Sequence, residues 1–304
     1  MKGSAAPAHL IRASLIGTLL LTSFLTAVGQ TNDRLVTIAV LDLGSSSIAK
    51  LAHDKLLQSF RAHREFSVLD AELTSAVARG TGYSGSLNLS LNEARDLGAV
   101  LAADFYILGD AQTLRRSSST TDKYFEAYCT IFLVSSRTGR LIHWERPTFQ
   151  ADSDKAAEAQ LLNRLSQEDS YHVLKVSIRR AQEDERNERT LIVDPNDPVI
   201  QEAPDDDQKA QVEGLRLPRP YRRLRPEYPD SAARADAEAT VDALVDVGAD
   251  GEVSQARIAR WAGFGLDETT LTTVRQLHFF PAMRNGTAIP MRVLLRYNFR
   301  KPAQ

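Results

Sequence analysis

Short apolar runs and helical repeats alternate along the first 182 residues of the chain. The apolar runs lie at residues 37–41, 66–69 and 105–108, with the length of buried strands. Apolar residues recur at helical spacing over 48–60, 72–79, 91–102, 155–165 and 171–182. Ser90 and Glu93 have the spacing of a capping box, and Gly139 lies in a five-residue loop between strand patterns at 124–135 and 141–149. This alternation predicts a layered α/β domain with a mixed sheet over residues 36–182.

The periodic pattern is lost after residue 182. Residues 183–213 contain eleven acidic and three basic side chains, and seven of the twelve prolines lie between Pro195 and Pro229. Such a composition favours an extended, solvated chain over a packed core. We therefore predict a flexible, acidic, proline-containing linker over residues 183–219. Arginines follow at positions 216, 219, 222, 223 and 225, with prolines between and after them. We expect this strip either to be solvated or to contact an acidic partner or anionic lipid.

Residues 220–304 show a second periodic pattern and form the second predicted domain. A short helix over 231–237 precedes an alternating strand over 241–247, a turn at Asp250-Gly251, a returning strand over 252–260 and a helix over 266–278. In the last strand, residues 291–300, apolar side chains alternate with largely basic ones. The order is αββαβ, so the fold class of the whole chain is α+β.

The second domain carries a series of motifs in a recognisable order. The segment from Arg225 to Arg234, RPEYPDSAAR, resembles the opening P-x-Y-P-x-x-A-R motif of the TonB carboxy-terminal domain family. The valine-rich strand, Asp250-Gly251, Leu266-Asp267, Phe279-Phe280-Pro281-Ala282, Asn285-Gly286 and the final alternating strand follow in the family's order. The resemblance implies a three-stranded antiparallel sheet backed by helices. It also implies that a short extended peptide of an outer-membrane transporter adds to the exposed edge of the last strand.

The last strand is the predicted binding site. A long final strand with a free edge presents unpaired N–H and C=O groups to which a foreign strand can add. Arg292, Arg296 and Arg300 should guard this edge against self-association and favour an acidic incoming segment. Glu227 stands where the best-known transporter-binding members carry glutamine. The candidate partner-binding residues are Arg225, Glu227, Tyr228, Arg292, Val293, Leu294, Leu295, Arg296 and Tyr297.

The first domain shows a second, weaker resemblance, to the periplasmic α/β domains of the CsgG-like and TolB amino-terminal families. The similar segments are Ile38 to Asp42, Phe66 to Asp70, Asp96 to Gly109 and Arg137 to Ile142. In those families the first strand feeds a helix that packs on the sheet, which agrees with the residues after Gly44. The long amphipathic membrane hairpins of the curli pore are not evident, so pore formation is not expected here.

The first 29 residues are predicted to direct export. Lys2, His9 and Arg12 precede sixteen uncharged residues, 13–28, and Ala27-Val28-Gly29 offers small residues for cleavage. We predict a cleaved signal peptide over residues 1–29 and a periplasmic location. The alternative is an uncleaved inner-membrane anchor over residues 10–29. A spanning helix needs about 20 apolar residues, whereas this stretch is shorter and contains several serines and threonines.

No motif in the sequence predicts catalysis, a cofactor or a metal site. The segment Asp42-Leu43-Gly44-Ser45-Ser46 is similar to the phosphate turn of actin-like ATPases, but a helical pattern follows where that fold needs a strand. The serines are therefore predicted to cap a helix. The letters GxGxxG at residues 80–85 follow a helix rather than a strand. The six histidines lack metal-ligand spacing, Cys129 is alone in a strand pattern, and no basic stripe is interleaved with aromatic residues as nucleic-acid binding requires.

The sequence predicts a non-enzymatic, exported envelope adaptor whose second domain captures a strand of a partner protein. The partner would be an envelope protein, with an outer-membrane TonB-dependent transporter as one candidate, and pairing of two last strands into a homodimer stays open. The alternative function is a TonB-type energy transducer that is anchored in the inner membrane and couples a proton-driven motor to outer-membrane transport. The family's transducers carry a histidine inside the membrane helix, whereas His9 precedes the apolar stretch.

Overall fold

A computed structural model describes residues 34–117, 123–190, 200–204 and 214–301. The segment of the export prediction, residues 1–29, lies outside the described residues. The elements of the amino-terminal region are β1 (Val36–Val40), α1 (Ser47–Ala62), β2 (Phe66–Val68), α2 (Ala71–Gly80), α3 (Leu91–Leu101), β3 (Phe105–Arg116), β4 (Tyr124–Ser135), β5 (Leu141–Glu145), β6 (Thr148–Ala151), α4 (Asp154–Leu165) and α5 (Glu168–Thr190).

These strands form one mixed sheet. β1 lies parallel to β2 on one side and to β3 on the other. β3 pairs antiparallel with β4 along its whole length, from Phe105 opposite Ser135 to Arg116 opposite Tyr124. β4 then pairs with β5 and β6, which share its other edge. The mixed sheet confirms the predicted α+β class.

Alternate residues of the strands face two separate hydrophobic cores. Ile38, Val40 and Ile107 pack with residues of α1, α4 and α5 on one face of the sheet. Ala39, Leu41 and Tyr106 pack with residues of α2 and α3 on the other face. Because both faces are covered, β3 is continuously apolar from Phe105 to Leu108 and β4 from Ile131 to Val134, rather than alternating with polar residues.

The serine-rich turn after β1 starts a helix. Ser46 is the N-cap of α1, where its Oγ accepts a hydrogen bond from the Ala49 amide at 3.1 Å and donates one to the Ala111 carbonyl at 2.8 Å. The Asp42 carboxylate accepts a hydrogen bond from Ser75 Oγ at 2.8 Å. The capping prediction is confirmed, as is the capping box of Ser90 and Glu93 at the start of α3.

Helix α5 corrects the predicted start of the linker. The helix continues from residue 182 to Thr190, so residues 183–190 are not extended. Glu185 accepts hydrogen bonds from Ser135 Oγ at 2.5 Å and from Arg137 Nε at 2.6 Å, both in the β4–β5 hairpin. The acidic residues at this point pair with hairpin residues instead of solvating a spacer, which composition alone does not reveal.

The carboxy-terminal region contains the predicted αββαβ series with short additions. Its elements are β7 (Gln201–Glu202), β8 (Leu215–Arg216), β9 (Arg219–Pro220), α6 (Asp230–Ala235), β10 (Ala239–Val247), β11 (Val253–Arg260), α7 (Leu266–Val274), β12 (Phe279–Phe280), β13 (Ala282–Arg284), β14 (Thr287–Ile289) and β15 (Met291–Phe299). The main sheet has the order β11-β10-β15-β7. Its first three strands are the predicted three-stranded antiparallel sheet, and β7 adds a parallel pair to the far edge of β15.

Trp261 joins the two regions by entering the core of the first. Its side chain is 2% exposed and lies edge-on to Phe132 of β4, with ring centroids 5.6 Å apart. The indole Nε1 donates a hydrogen bond to the Gly139 carbonyl at 2.9 Å. Gly263 has a φ of +70°, and a Cβ atom there would lie 2.7 Å from the Phe132 ring, so a glycine is required at this approach. The second face of the amino-terminal sheet is thus partly covered by a residue from the other region.

The side chain of Asn88 hydrogen-bonds to backbone groups of the carboxy-terminal region at the same junction. Its side-chain amide donates to the carbonyls of Thr240 and Trp261, at 2.8 and 2.7 Å, and its Oδ1 accepts from the Thr240 amide at 3.0 Å. Arg260 donates to the Asn88 carbonyl at 2.8 Å and pairs with Glu93 at 3.0 Å. One polar side chain therefore satisfies three backbone groups at the start of β10 and the end of β11.

We expect Trp261→Ala to lower the free energy of unfolding of the whole protein by about 3–5 kcal/mol, because a buried ring and its hydrogen bond are lost. Urea denaturation followed by circular dichroism measures this change. Tyr221→Ala is the matched control, since the Tyr221 ring is 58% exposed and its loss should change the free energy by less than about 1 kcal/mol. Similar losses for the two variants would contradict the proposed role of Trp261.

Asp267 holds the loop that carries Trp261. Its Oδ1 and Oδ2 accept hydrogen bonds from the amides of Ala262 and Gly263, each at 2.9 Å. Burial raises the pKa of Asp267 to about 7, although the two amide donors act in the opposite direction. The carboxyl group is therefore expected to titrate near neutral pH in the folded protein.

This pKa predicts a pH-dependent stability with a definite sign. The folded-state pKa lies above the unfolded value of 3.8, so the folded protein binds the proton more tightly. The stabilisation is present below about pH 4, falls as the pH rises through about 7, and amounts to at most about 4 kcal/mol. Denaturation of wild type and Asp267→Asn between pH 5 and 8 measures the difference. A wild-type free energy of unfolding that rises relative to the variant over this range would contradict the assignment.

Candidate functional site: the open edge of the last strand

Strand β15 pairs with β10 along its full length. The antiparallel register runs without interruption from Ala239 opposite Phe299 to Val247 opposite Met291. The side chains of β15 with odd numbers face the core, where Val293 and Leu295 pack with Val245. The side chains with even numbers lie on the opposite face. The register therefore decides which groups of the last strand are available to a partner.

Acidic residues of β10 lie directly opposite the arginines of β15. Arg292 donates two hydrogen bonds to the Asp246 carboxylate, at 2.5 and 2.8 Å, and Arg296 donates two to Asp242, at 2.7 and 2.9 Å. These hydrogen bonds raise the pKa of both arginines. Asp242 and Asp246 are only 5% and 2% exposed, so each buried carboxylate depends on its arginine.

The arginine pairs correct one expectation from the sequence. Arg292, Arg296 and Arg300 were expected to offer positive charge to an acidic incoming segment. Arg292 and Arg296 instead neutralise aspartates of the neighbouring strand, and Arg300 pairs with Glu238 at 3.1 Å. Asp242 and Asp246 on β10 are four residues apart, as Arg292 and Arg296 are on β15, and this matched spacing is the sequence signal that indicates the pairs.

The backbone of β15 alternates in the same way between its two edges. The Arg292 carbonyl accepts a hydrogen bond from the Ala203 amide at 2.7 Å, so the backbone groups of Arg292 face away from β10. Because every second residue has the same orientation, the N–H and C=O groups of Leu294, Arg296 and Asn298 face this outer edge too. In the part of the chain that the structure describes, β7 pairs with Met291 and Arg292 and with nothing further along β15. The outer edge is open from Leu294 to Asn298 among the described residues.

The predicted site residues lie in different surroundings and do not form one surface. Leu294 and Arg296 lie on the open edge with exposed side chains, whereas Val293, Leu295 and Tyr297 pack toward the core. Tyr228 is half-buried near the end of β15, where its ring lies 6.5 Å from that of Phe299 and its hydroxyl donates to the Ala237 carbonyl at 2.8 Å. Tyr228 therefore holds the segment that leads into α6 in place. The other predicted residues are Arg225 and Glu227, which are exposed, and Arg292, which β7 covers.

The described residues show two further properties of the molecule. They contain no cluster of three or more histidine, cysteine, aspartate or glutamate side chains arranged for a metal ion. Among the helices in the described ranges, none combines the length and the apolar character needed to span a bilayer. Cys129 is fully buried in β4, and burial raises the pKa of its thiol.

Residues 225–300 match the family model of the Gram-negative bacterial TonB protein C-terminal. This confirms the resemblance drawn from the RPEYPDSAAR segment and the motifs after it. The TonB-type match indicates a bacterial envelope protein, while the resemblance of residues 36–182 to CsgG-like and TolB domains stays a prediction. No curated protein matches the chain.

Several solved structures are similar at low identity. The TonB C-terminal domain of Pseudomonas aeruginosa is 18% identical, with 29% of this chain and 89% of that one covered and a TM-score of 0.25. The lipoprotein GNA1162 from Neisseria meningitidis is 11% identical, with 49% and 99% covered and a TM-score of 0.28. The LpoB C-terminal domain from Salmonella enterica is 15% identical, with 38% and 83% covered and a TM-score of 0.27.

We expect Arg292→Met to lower the free energy of unfolding by about 3 kcal/mol, because it leaves the buried Asp246 carboxylate without its partner. Arg300→Met is the matched control: its side chain is 76% exposed, and loss of its pair should cost less than about 1 kcal/mol. Thermal and urea denaturation of both variants measure the two values. Equal effects would show that burial does not distinguish the pairs.

Proposed function

We propose that this protein is an exported envelope adaptor that captures an extended segment of a partner protein by adding it to the outer edge of β15. The observation that carries the proposal is the row of outward backbone groups at Leu294, Arg296 and Asn298, which no described strand pairs. Unpaired N–H and C=O groups on an ordered strand are a template for β-addition. The TonB-type match of residues 225–300 supports an envelope location and a partner that is an envelope protein.

The partner chemistry follows from the edge itself. Backbone groups supply the main contacts, so the partner segment must be extended and must have free amides at alternate positions. Leu294 is 51% exposed and lies between the two arginine–aspartate pairs, where it offers an apolar contact to a partner side chain. An outer-membrane transporter with a mobile amino-terminal segment fits this requirement. The proposed role is binding, with no catalytic step.

A peptide titration tests this function. We expect peptides of about ten residues from the amino-terminal segments of outer-membrane transporters to shift the amide resonances of residues 294–298 in the purified protein. Leu294→Pro should weaken this binding at least about tenfold, because it removes an outward N–H group while β10 is bound through the neighbouring residues. Leu294→Ala is the control, since it keeps the amide and shortens the side chain only.

Three outcomes of the titration are distinct. Shifts at residues 294–298 that are lost in the proline variant and retained in the alanine variant support β-addition. Shifts confined to the cleft between the two regions, near Trp144 and Arg257, would place binding elsewhere and contradict the proposed site. Self-association of the protein without added peptide, with the same resonances broadened, would indicate that a second copy is the partner.

A further inference from the structure

Part of the proposed binding edge is occupied by the protein's own chain. Gln201 and Glu202 form β7, which lies parallel to β15 opposite Met291 and Arg292. The Ala203 amide extends this pairing by donating to the Arg292 carbonyl at 2.7 Å. Arg292 belongs to the same outward-facing series as Leu294, Arg296 and Asn298. A foreign strand that adds along the whole of β15 must therefore take the position of residues 201–203.

The contacts that hold this segment are few and mostly exposed. The Glu202 carboxylate lies 3.9 Å from Arg292 and is 74% exposed, and Gln201 Oε1 accepts a hydrogen bond from Arg284 at 2.8 Å. Ala203 packs on a small apolar cluster of Leu215, Ala282 and Met291. A two-residue strand with an exposed ion pair is marginally stable by itself. On the other side of β15, by contrast, β10 is paired along nine residues.

The side chains of the segment fit the Arg292 end of the edge. It places an acidic side chain beside Arg292 and a small apolar side chain on the cluster below β15. Asp246 already neutralises Arg292 through two short hydrogen bonds, so Glu202 adds a weak contact rather than a strong one. The segment thus imitates an incoming strand without binding tightly enough to close the edge permanently.

We propose that residues 200–203 are an internal competitor for the outer edge of β15, which a partner strand displaces when it binds. This inference rests on the proposed function, since it concerns the same edge. It defines how binding is regulated: the apparent affinity for a partner is reduced by the fraction of molecules in which β7 is docked. It also defines the partner's contacts at this end of the edge, an acidic residue beside Arg292 followed by a small apolar residue.

The test compares two variants of the full-length protein at position 203. Ala203→Pro removes the amide that donates to Arg292, whereas Ala203→Ser keeps this amide with a side chain of similar size and is the matched control. The probes are a synthetic peptide with the sequence of residues 198–204, PVIQEAP, and the transporter peptides named above. We expect both probes to bind Ala203→Pro about tenfold more tightly than wild type, and Ala203→Ser to change their affinity much less.

Hydrogen exchange gives a second, direct readout. In the wild-type protein the Ala203 amide should be protected from exchange, and saturation with a transporter peptide should remove this protection. An unchanged melting temperature of Ala203→Pro would show that the fold is intact, since β7 contributes little to it.

The outcomes separate this inference from the proposed function. Transporter peptides that shift residues 294–298 with equal affinity in wild type and Ala203→Pro, and that leave the Ala203 amide protected, would overturn the competitor and retain the binding edge. Failure of every peptide to shift these resonances in any variant would overturn both. Tighter binding to Ala203→Pro with loss of Ala203 protection in wild type supports the competitor.

Discussion

The antiparallel pairing of β10 with β15 fixes the direction of every group on the last strand. Side chains and backbone groups alternate with a period of two, so a slip of one residue would turn Arg292 and Arg296 toward the core and exchange the two edges of β15. Hydrophobic alternation and the arginine–aspartate pairs both select the observed register, because Asp242 and Asp246 are buried directly opposite the two arginines. The open edge from Leu294 to Asn298 is a consequence of this register and not of loop conformation.

The junction at Trp261 determines how that edge is presented. Trp261 lies in the core of the amino-terminal sheet, and the following residues contact both β4 and α7. A polar chain from Glu93 through Arg260 and Asp242 to Arg296 connects the start of α3 with the open edge. The β15 edge is therefore attached to a body much larger than the TonB-type region, through these polar pairs and through the buried Trp261 side chain.

Local sequence patterns predict most of the helices and strands, but they do not predict the contacts between segments that are distant in the sequence. The capping hydrogen bonds of Ser46 and Ser90 join residues three positions apart, so these roles are visible in the sequence. Trp261 and Asn88 act on residues more than a hundred positions away, and nothing in their local surroundings indicates this. The acidic composition after residue 182 predicts a solvated linker, because composition does not distinguish solvated acids from acids paired with a distant hairpin, as Glu185 is.

The length of the open edge limits how it can bind. Outward groups at Leu294, Arg296 and Asn298 offer at most six backbone hydrogen bonds, and at about 1 kcal/mol net for each bond this is about 6 kcal/mol. Association alone costs about 4–15 kcal/mol, so backbone pairing by itself gives weak binding. Because the arginines of the exposed face are already neutralised, long-range attraction of an acidic segment adds little. Side-chain contacts along the edge are thus needed for affinity, whether the partner is a foreign segment or a second copy of the protein.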